Sequence, residues 1–187
     1  MEVIQTSIPD VLVFKPGIHF DKRGYLMESC SELKLRKYIG EVCFIQDNQS
    51  FSTFGVLRGL HYQRPPFAQG KLVRVVSGIV MNVAVDIRQG SPTFAQHVST
   101  ILTGDCHCQL WIPKGFAHGF IVLSTSALLL SKTDQIYAPI CEAGLMWNDP
   151  VLRINWRLSE DQLIMSEKDK CHPTLRMIND FCYNEFR

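Results

Sequence analysis

From about Val11 to Tyr137 the chain is a succession of short apolar runs, each cut off within a few residues by Gly, Pro, Asn or Asp. Runs of four to eight residues rich in Val, Ile, Phe and Leu read as strands, because branched and aromatic side chains pack well on a pleated surface. Residues 42–45, 72–76, 79–85, 97–102, 109–112 and 119–123 fit that pattern. Their close spacing leaves no room for crossover helices, which predicts antiparallel pairing in a sandwich or barrel. Helical signals sit at the edges. Residues 31–39 carry Ser31 at the start and Gly40 just past the end, and short helices are expected over 159–163 and 173–181. The expected fold is an all-β jelly-roll barrel with a few peripheral helices, in one domain over residues 1–187 whose end from about 159 is helical.

Charge narrows the function. A net +1 with no long run of either sign argues against nucleic-acid binding by bulk electrostatics. No apolar stretch reaches membrane-spanning length, and the start Met1-Glu2-Val3 lacks the basic opening of a signal peptide. Seven cysteines, an odd number without a small-domain spacing, predict reduced thiols in a cytoplasmic protein. Cys106-His107-Cys108 reads as a turn between strands, since structural zinc sites use two wider-spaced ligand pairs.

The chemistry concentrates in Val56-Leu57-Arg58-Gly59-Leu60-His61 and Gln69-Gly70-Lys71-Leu72-Val73-Arg74. Arg58 and His61 are three apart, so simple alternation puts them on opposite faces. Gly59 lies between them, and a glycine inside a strand often marks a bulge that re-aims a side chain. A base, a guanidinium and an ammonium in one pocket suit an anionic substrate with an acidic C–H. Pro113-Lys114-Gly115-Phe116-Ala117-His118 supplies a second histidine, which a barrel could bring beside His61. Metal-dependent cupins place a His-x-His pair where this chain has His61-Tyr62-Gln63, so two histidines alone remain and no metal is expected. No glycine-rich phosphate loop is present, and no nucleotide cofactor is expected. Anion binding then falls to Arg23, Arg58 and Lys71, with Tyr137 and Trp147 available to stack on a base.

These blocks, with Asp21-Lys22-Arg23-Gly24 through Glu28, Gln46-Asp47-Asn48, Val83-Ala84-Val85-Asp86-Ile87-Arg88, Ser91-Pro92-Thr93-Phe94 and Tyr137-Ala138-Pro139, resemble the dTDP-4-dehydrorhamnose 3,5-epimerases, cofactor-free and metal-independent cupins. The resemblance runs from about Ile8 to Asp169. It implies that His61 removes a proton next to the ketone of a dTDP-4-keto-6-deoxy sugar and that Asp169 orients and charges that imidazole. It places Lys71 and His118 near the C4 oxygen. It assigns substrate contacts to Arg23, Glu28, Gln46, Asn48, Arg58, Glu142 and Lys168, with Tyr137 stacking on thymine. It also implies a homodimer in which the neighbouring subunit completes the nucleotide site.

The chain departs from the family pattern at the proton donor. Where a tyrosine is usual, six residues before the stacking Tyr137, stands Ser131, a far weaker acid than a phenol of pKa about 10. Asn82 replaces an aspartate, Ile79 a glutamate and Gln49 a histidine. Epimerisation at C3 and C5, biased to C3, is the expected activity. A catalytically silent sugar-nucleotide-binding cupin and a sugar-nucleotide ketoisomerase are the alternatives, with a metal oxygenase behind them.

Overall fold

The computed structural model describes residues 1–186; Arg187, part of the expected domain, lies outside the described residues. Thirteen strands dominate it: β1 Glu2–Gln5, β2 Leu12–Lys15, β3 Ile18–Asp21, β4 Gly24–Met27, β5 Gln46–Thr53, β6 Leu57–Gln63, β7 Lys71–Ser77, β8 Ile79–Asp86, β9 His97–Thr103, β10 Gln109–Ile112, β11 Phe116–Val122, β12 Ser126–Thr133 and β13 Glu142–Gly144. Two helices, α1 Glu32–Ile39 and α2 Glu167–Lys170, and four 3-10 turns complete it. One sheet runs β1-β2-β10-β7-β12-β5, a second runs β13-β6-β11-β8-β9, and β3-β4 forms a separate hairpin. All strand pairs within these sheets are antiparallel. The all-β, jelly-roll expectation holds.

Three apolar layers explain why the strands read as they do. Val73, Val75, Leu110 and Leu129 of the six-stranded sheet meet Val80, Ala84, Phe120 and Val122 of the five-stranded sheet, forming the inner core. Behind the five-stranded sheet, Leu57, Leu60, Met81, Val83 and Ile121 pack on Leu145, Trp156, Leu175, Ile178 and Phe181 of the C-terminal segment. Both faces of β8 and β11 are therefore covered, so β11 is buried throughout and β8 from Val80 onward, without alternation. Outside the six-stranded sheet, Leu12, Phe14, Leu72 and Trp111 are capped by Leu35 of α1. That helix starts after Ser31, whose side chain makes no capping bond, and stops at Gly40, whose φ of 74° suits glycine.

Two sequence expectations fail for one reason: backbone groups find partners elsewhere. Residues 42–45 form no strand. Val42 and Phe44 instead anchor on the outer core, Phe44 N donates to Glu32 Oε1 at 3.0 Å, and pairing begins at Gln46. Residues 173–181 form only a 3-10 turn over Leu175–Met177. Leu175, Ile178 and Phe181, three apart, mimic a helix face, but Gln89 N bonds Phe181 O and Leu175 N bonds Asp149 Oδ2. The segment laces onto the barrel and does not coil on itself. The 3-10 turn Glu160–Gln162 matches the short helix expected there.

The bulge expected at Gly59 is present and decides the site. On β6 and β11 the register changes from His118 opposite His61 to Phe120 opposite Arg58, so two β6 residues face one on β11. The extra residue turns an odd spacing into an even one, and Arg58 and His61 line the same cavity. Gly59 has φ 127°, and a Cβ there would lie 2.5 Å from Gly119 Cα. Gly59→Ala is expected to destabilise the fold by about 1–3 kcal/mol or more, read as a lower urea midpoint. It should also draw Arg58 away from the cavity it shares with His61. An unchanged midpoint would show the bulge to be dispensable.

Among the described residues no helix is long and apolar enough to cross a membrane. All seven cysteines are unpaired. Cys106-His107-Cys108 is a turn after β9, with Cys106 Sγ accepting from Thr103 N and Cys108 N at 3.4 and 3.3 Å.

Candidate active site

Between the two sheets lies a cavity of about 240 Å³. One wall comes from the five-stranded sheet, with Arg58 and His61 of β6, His118 of β11 and Glu142 of β13. The facing wall comes from the six-stranded sheet, with Asn48 and Ser50 of β5, Lys71 of β7, and Ser131 and Thr133 of β12. A group held between them meets an imidazole on one side and an ammonium on the other.

His61 is half-buried, and its Nε2 lies 2.7 Å from Asp169 Oδ1. Asp169 comes from α2, 108 positions away, where Ser166 caps its backbone N–H at 3.1 Å. The other carboxylate oxygen accepts from Gly59 N at 3.3 Å, so one buried acid holds both the bulge and the imidazole. Burial alone would raise the Asp169 pKa, but the bonds from His61 and Gly59 outweigh it and hold the carboxyl below its ordinary value. An ionised partner at Nε2 fixes the proton there and leaves Nδ1 as the basic nitrogen.

Burial pushes the Lys71 ammonium down to about 8, against the opposing pull of Glu142. His118 is buried, and burial together with the Lys71 and His61 charges drives its pKa well below the usual histidine value. Its Nε2 lies 3.2 Å from Asn82 Oδ1, while the buried Asn82 Nδ2 has no partner. The amide oxygen is an uncharged partner for the ring.

The rim is a chain of polar contacts. Tyr137 donates to Glu142 Oε2 at 2.7 Å, and Lys168 pairs with the same oxygen at 2.5 Å. Burial would raise the Glu142 pKa, but Lys168 and Tyr137 outweigh it and lower it. Gln46 joins Asn48 to this rim, donating to Asn48 Oδ1 at 2.9 Å and accepting from Tyr137 N at 2.8 Å. Arg58 donates to Ser52 Oγ at 3.2 Å.

Arg23 and Glu28 do not reach this cavity. Arg23, on the β3-β4 hairpin, is paired with Asp21 at 2.6 Å, and Glu28 is paired with Lys34 at 2.7 Å. Trp147 packs behind the five-stranded sheet, away from the cavity.

Sequence reasoning missed two residues. Gln63 bonds Phe67 O, Ile136 O and Ala138 N, locking the loop that presents Tyr137. His172 is buried, with Nε2 3.6 Å from Asp169 Oδ1 and its ring edge-on to His61 at a centroid distance of 5.6 Å. Its place three residues after Asp169, just past the end of α2, was the available signal.

The family model described as dTDP-4-dehydrorhamnose 3,5-epimerase matches residues 5–177. A dTDP-4-dehydrorhamnose 3,5-epimerase of Shigella flexneri is 50% identical over 170 residues, 90% of this chain and 93% of that protein. The Legionella pneumophila epimerase RmlC, solved with dTDP-4-keto-L-rhamnose, superposes with TM-score 0.93 at 45% identity, covering 97% of this chain and 98% of that one. ChmJ, a 3'-monoepimerase from Streptomyces bikiniensis solved with dTDP-quinovose, is 30% identical with TM-score 0.85, covering 92% of this chain and 87% of that one. Kinship over nearly the whole length, on the same barrel, leads to one assignment: this enzyme belongs to the dTDP-4-dehydrorhamnose 3,5-epimerase family of sugar-nucleotide isomerases.

Proposed function

We propose that the chain epimerises dTDP-4-keto-6-deoxy-D-glucose by removing the proton adjacent to the C4 ketone with His61. Both C3–H and C5–H are acidified, because either carbanion delocalises into the C4 carbonyl. The observation that carries this reading is the 2.7 Å His61–Asp169 pair on one wall of a cavity whose other wall holds Lys71. Asp169 keeps the imidazole in the tautomer that can accept a proton, and Lys71 with His118 stabilises the developing enolate oxygen. A cavity of about 240 Å³ lies below the range of roughly 300–1,000 Å³ that encloses whole drug-sized ligands, so the sugar enters and the nucleotide stays at the rim. There Tyr137 offers a face for thymine, and Gln46, Asn48, Arg58, Glu142 and Lys168 offer polar contacts.

Arg23 and Glu28 fit a nucleotide site only if they come from a second copy. The hairpin that carries Arg23 also exposes Phe20, Tyr25 and Leu26, at 73%, 54% and 75%. A cytoplasmic homodimer that buries this apolar hairpin and brings Arg23 to its partner's rim is part of the proposal, as is a single catalytic domain spanning residues 1–187.

Inversion needs a proton returned to the opposite face of the sugar, from the Lys71 wall. Ser131 stands on that wall. The two cavity tyrosines already have their hydroxyls engaged, Tyr62 with Asp180 at 2.5 Å and Tyr137 with Glu142. Burial pushes the Tyr62 pKa up further, which weakens it as an acid. With no free phenol among the described residues of the cavity, we infer faster inversion at C3 than at C5. Incubation in heavy water followed by NMR tests this. Deuterium should enter C3 several-fold faster than C5, and equal rapid labelling with inversion at both carbons would refute the bias. Binding without any exchange would point to a silent sugar-nucleotide binder, and a moved carbonyl to a ketoisomerase.

A further inference from the structure

Asp169 faces two imidazoles, and only one is used by the reaction as described. His172 is 8% exposed, and its Nε2 is buried without a hydrogen-bond partner, 3.6 Å from Asp169 Oδ1. A ring nitrogen so enclosed, with only a long contact to one carboxylate, needs a reason. The ring is seated against Gly144, where a Cβ would come within 2.3 Å of Nε2, so only glycine at that position lets the imidazole stand there. One ligand atom from each of His61, Asp169 and His172 lies within 4.8 Å of the other two.

The two separations that include Asp169 bracket a zinc-type spacing, and the third, between the two histidines, is held within 4.8 Å. Zinc bonds of about 2.0–2.2 Å in tetrahedral array place ligand atoms roughly 3.3 Å apart. The two separations from Asp169 Oδ1, 2.7 and 3.6 Å, straddle that value. Two imidazoles and one carboxylate form a borderline donor set that suits Zn²⁺ and Co²⁺ over Mg²⁺ or Ca²⁺. Because His61 also lines the cavity, water can supply the fourth ligand. We propose that His61, Asp169 and His172 form an inhibitory site for a zinc-class divalent ion.

The inhibitory consequence follows from proton placement. Coordination through His61 Nε2 displaces the proton that Nε2 shares with Asp169. A neutral ring coordinated at Nε2 carries that proton on Nδ1, the nitrogen needed as base. The ion therefore silences the enzyme without occupying the sugar cavity. This consequence rests on His61 acting as the base; the metal site itself does not.

Cobalt(II) chloride added to the metal-stripped enzyme tests both parts separately. Four-coordinate cobalt on nitrogen and oxygen ligands gives strong visible absorption without the near-ultraviolet charge-transfer bands of thiolate-bound cobalt, so the seven cysteines are distinguished. One equivalent should bind, deuterium exchange into the sugar should fall in parallel, and EDTA should restore it. His172→Phe fills the same space without a ligand atom and should weaken cobalt binding more than about tenfold, while exchange without metal stays near the parent rate. His172→Asn guards against a packing defect in the first variant, and should likewise turn over insensitively to cobalt. Absence of the visible spectrum in the parent protein, or its persistence in both variants, overturns the site. Cobalt bound with exchange undiminished overturns the inhibitory role of the ion, and His61→Asn then decides separately whether His61 is the base.

Discussion

His61→Asn is expected to lower solvent deuterium uptake at C3 and C5 together by about 10²–10⁴-fold or more, the range that a positioned general base supplies. Asparagine is close in size, and its amide can still donate to Asp169, so the fold and the buried carboxylate stay satisfied. What disappears is the ring nitrogen proposed to take the proton, since an amide has no basic site near neutral pH. Binding of dTDP should change little, because the nucleotide contacts proposed at the rim lie on other residues. NMR of the exchanged sugar, with calorimetry of dTDP binding, separates chemistry from affinity. Exchange retained at either carbon would remove His61 as the base for that carbon.

Lys71→Met should lower kcat by about 10²–10³-fold with little change in KM, the magnitude that follows loss of one preorganised charge at a developing oxyanion. Methionine keeps the aliphatic stem and volume and removes only the ammonium. The pH dependence gives an independent reading. Burial brings Lys71 to about 8, and in the proposed mechanism its protonated form stabilises the enolate. The Lys71 contribution is therefore full below that value and is lost as pH rises through it, approaching tenfold per pH unit for a single proton. The groups facing Lys71 are Glu142 of β13, which opposes the shift, and His118 and His61 of the opposite wall. Lys71→Arg, whose guanidinium stays charged, should recover part of the rate and lose the alkaline limb. An alkaline limb that persists in Lys71→Met would assign it to another group.

Much of this was legible in the sequence because it depends on local order. Strand-forming runs, the turns that cut them and Gly40 at the end of α1 act over a few residues. So does Gly59, whose bulge could be expected from its place between Arg58 and His61. The polar strand β5, Gln46-Asp47-Asn48-Gln49-Ser50, escaped the apolar signal. It is an edge strand that turns Asn48 and Ser50 to the cavity, so its pattern records a site and not a core. The edges of the hydrophobic signal misled elsewhere. Val42 and Phe44 mark a packed coil, and the three-residue spacing of Leu175, Ile178 and Phe181 marks successive insertions into the core.

The residue order by itself determined the all-β architecture, the family and the cluster from Arg58 to Lys71, because hydrophobic period, turn residues and contiguous motifs are properties of neighbours along the chain. The tertiary structure set the implied Asp169–His61 pair at 2.7 Å, and it alone decided that His172 closes on the same carboxylate and that Arg23 and Glu28 stay outside the cavity. Those facts depend on how two sheets face each other and where the C-terminal segment crosses behind one of them. Burial sets the charges in the same way: a lysine or histidine acquires its shifted proton affinity from the walls around it, and those walls are assembled from segments far apart in the chain.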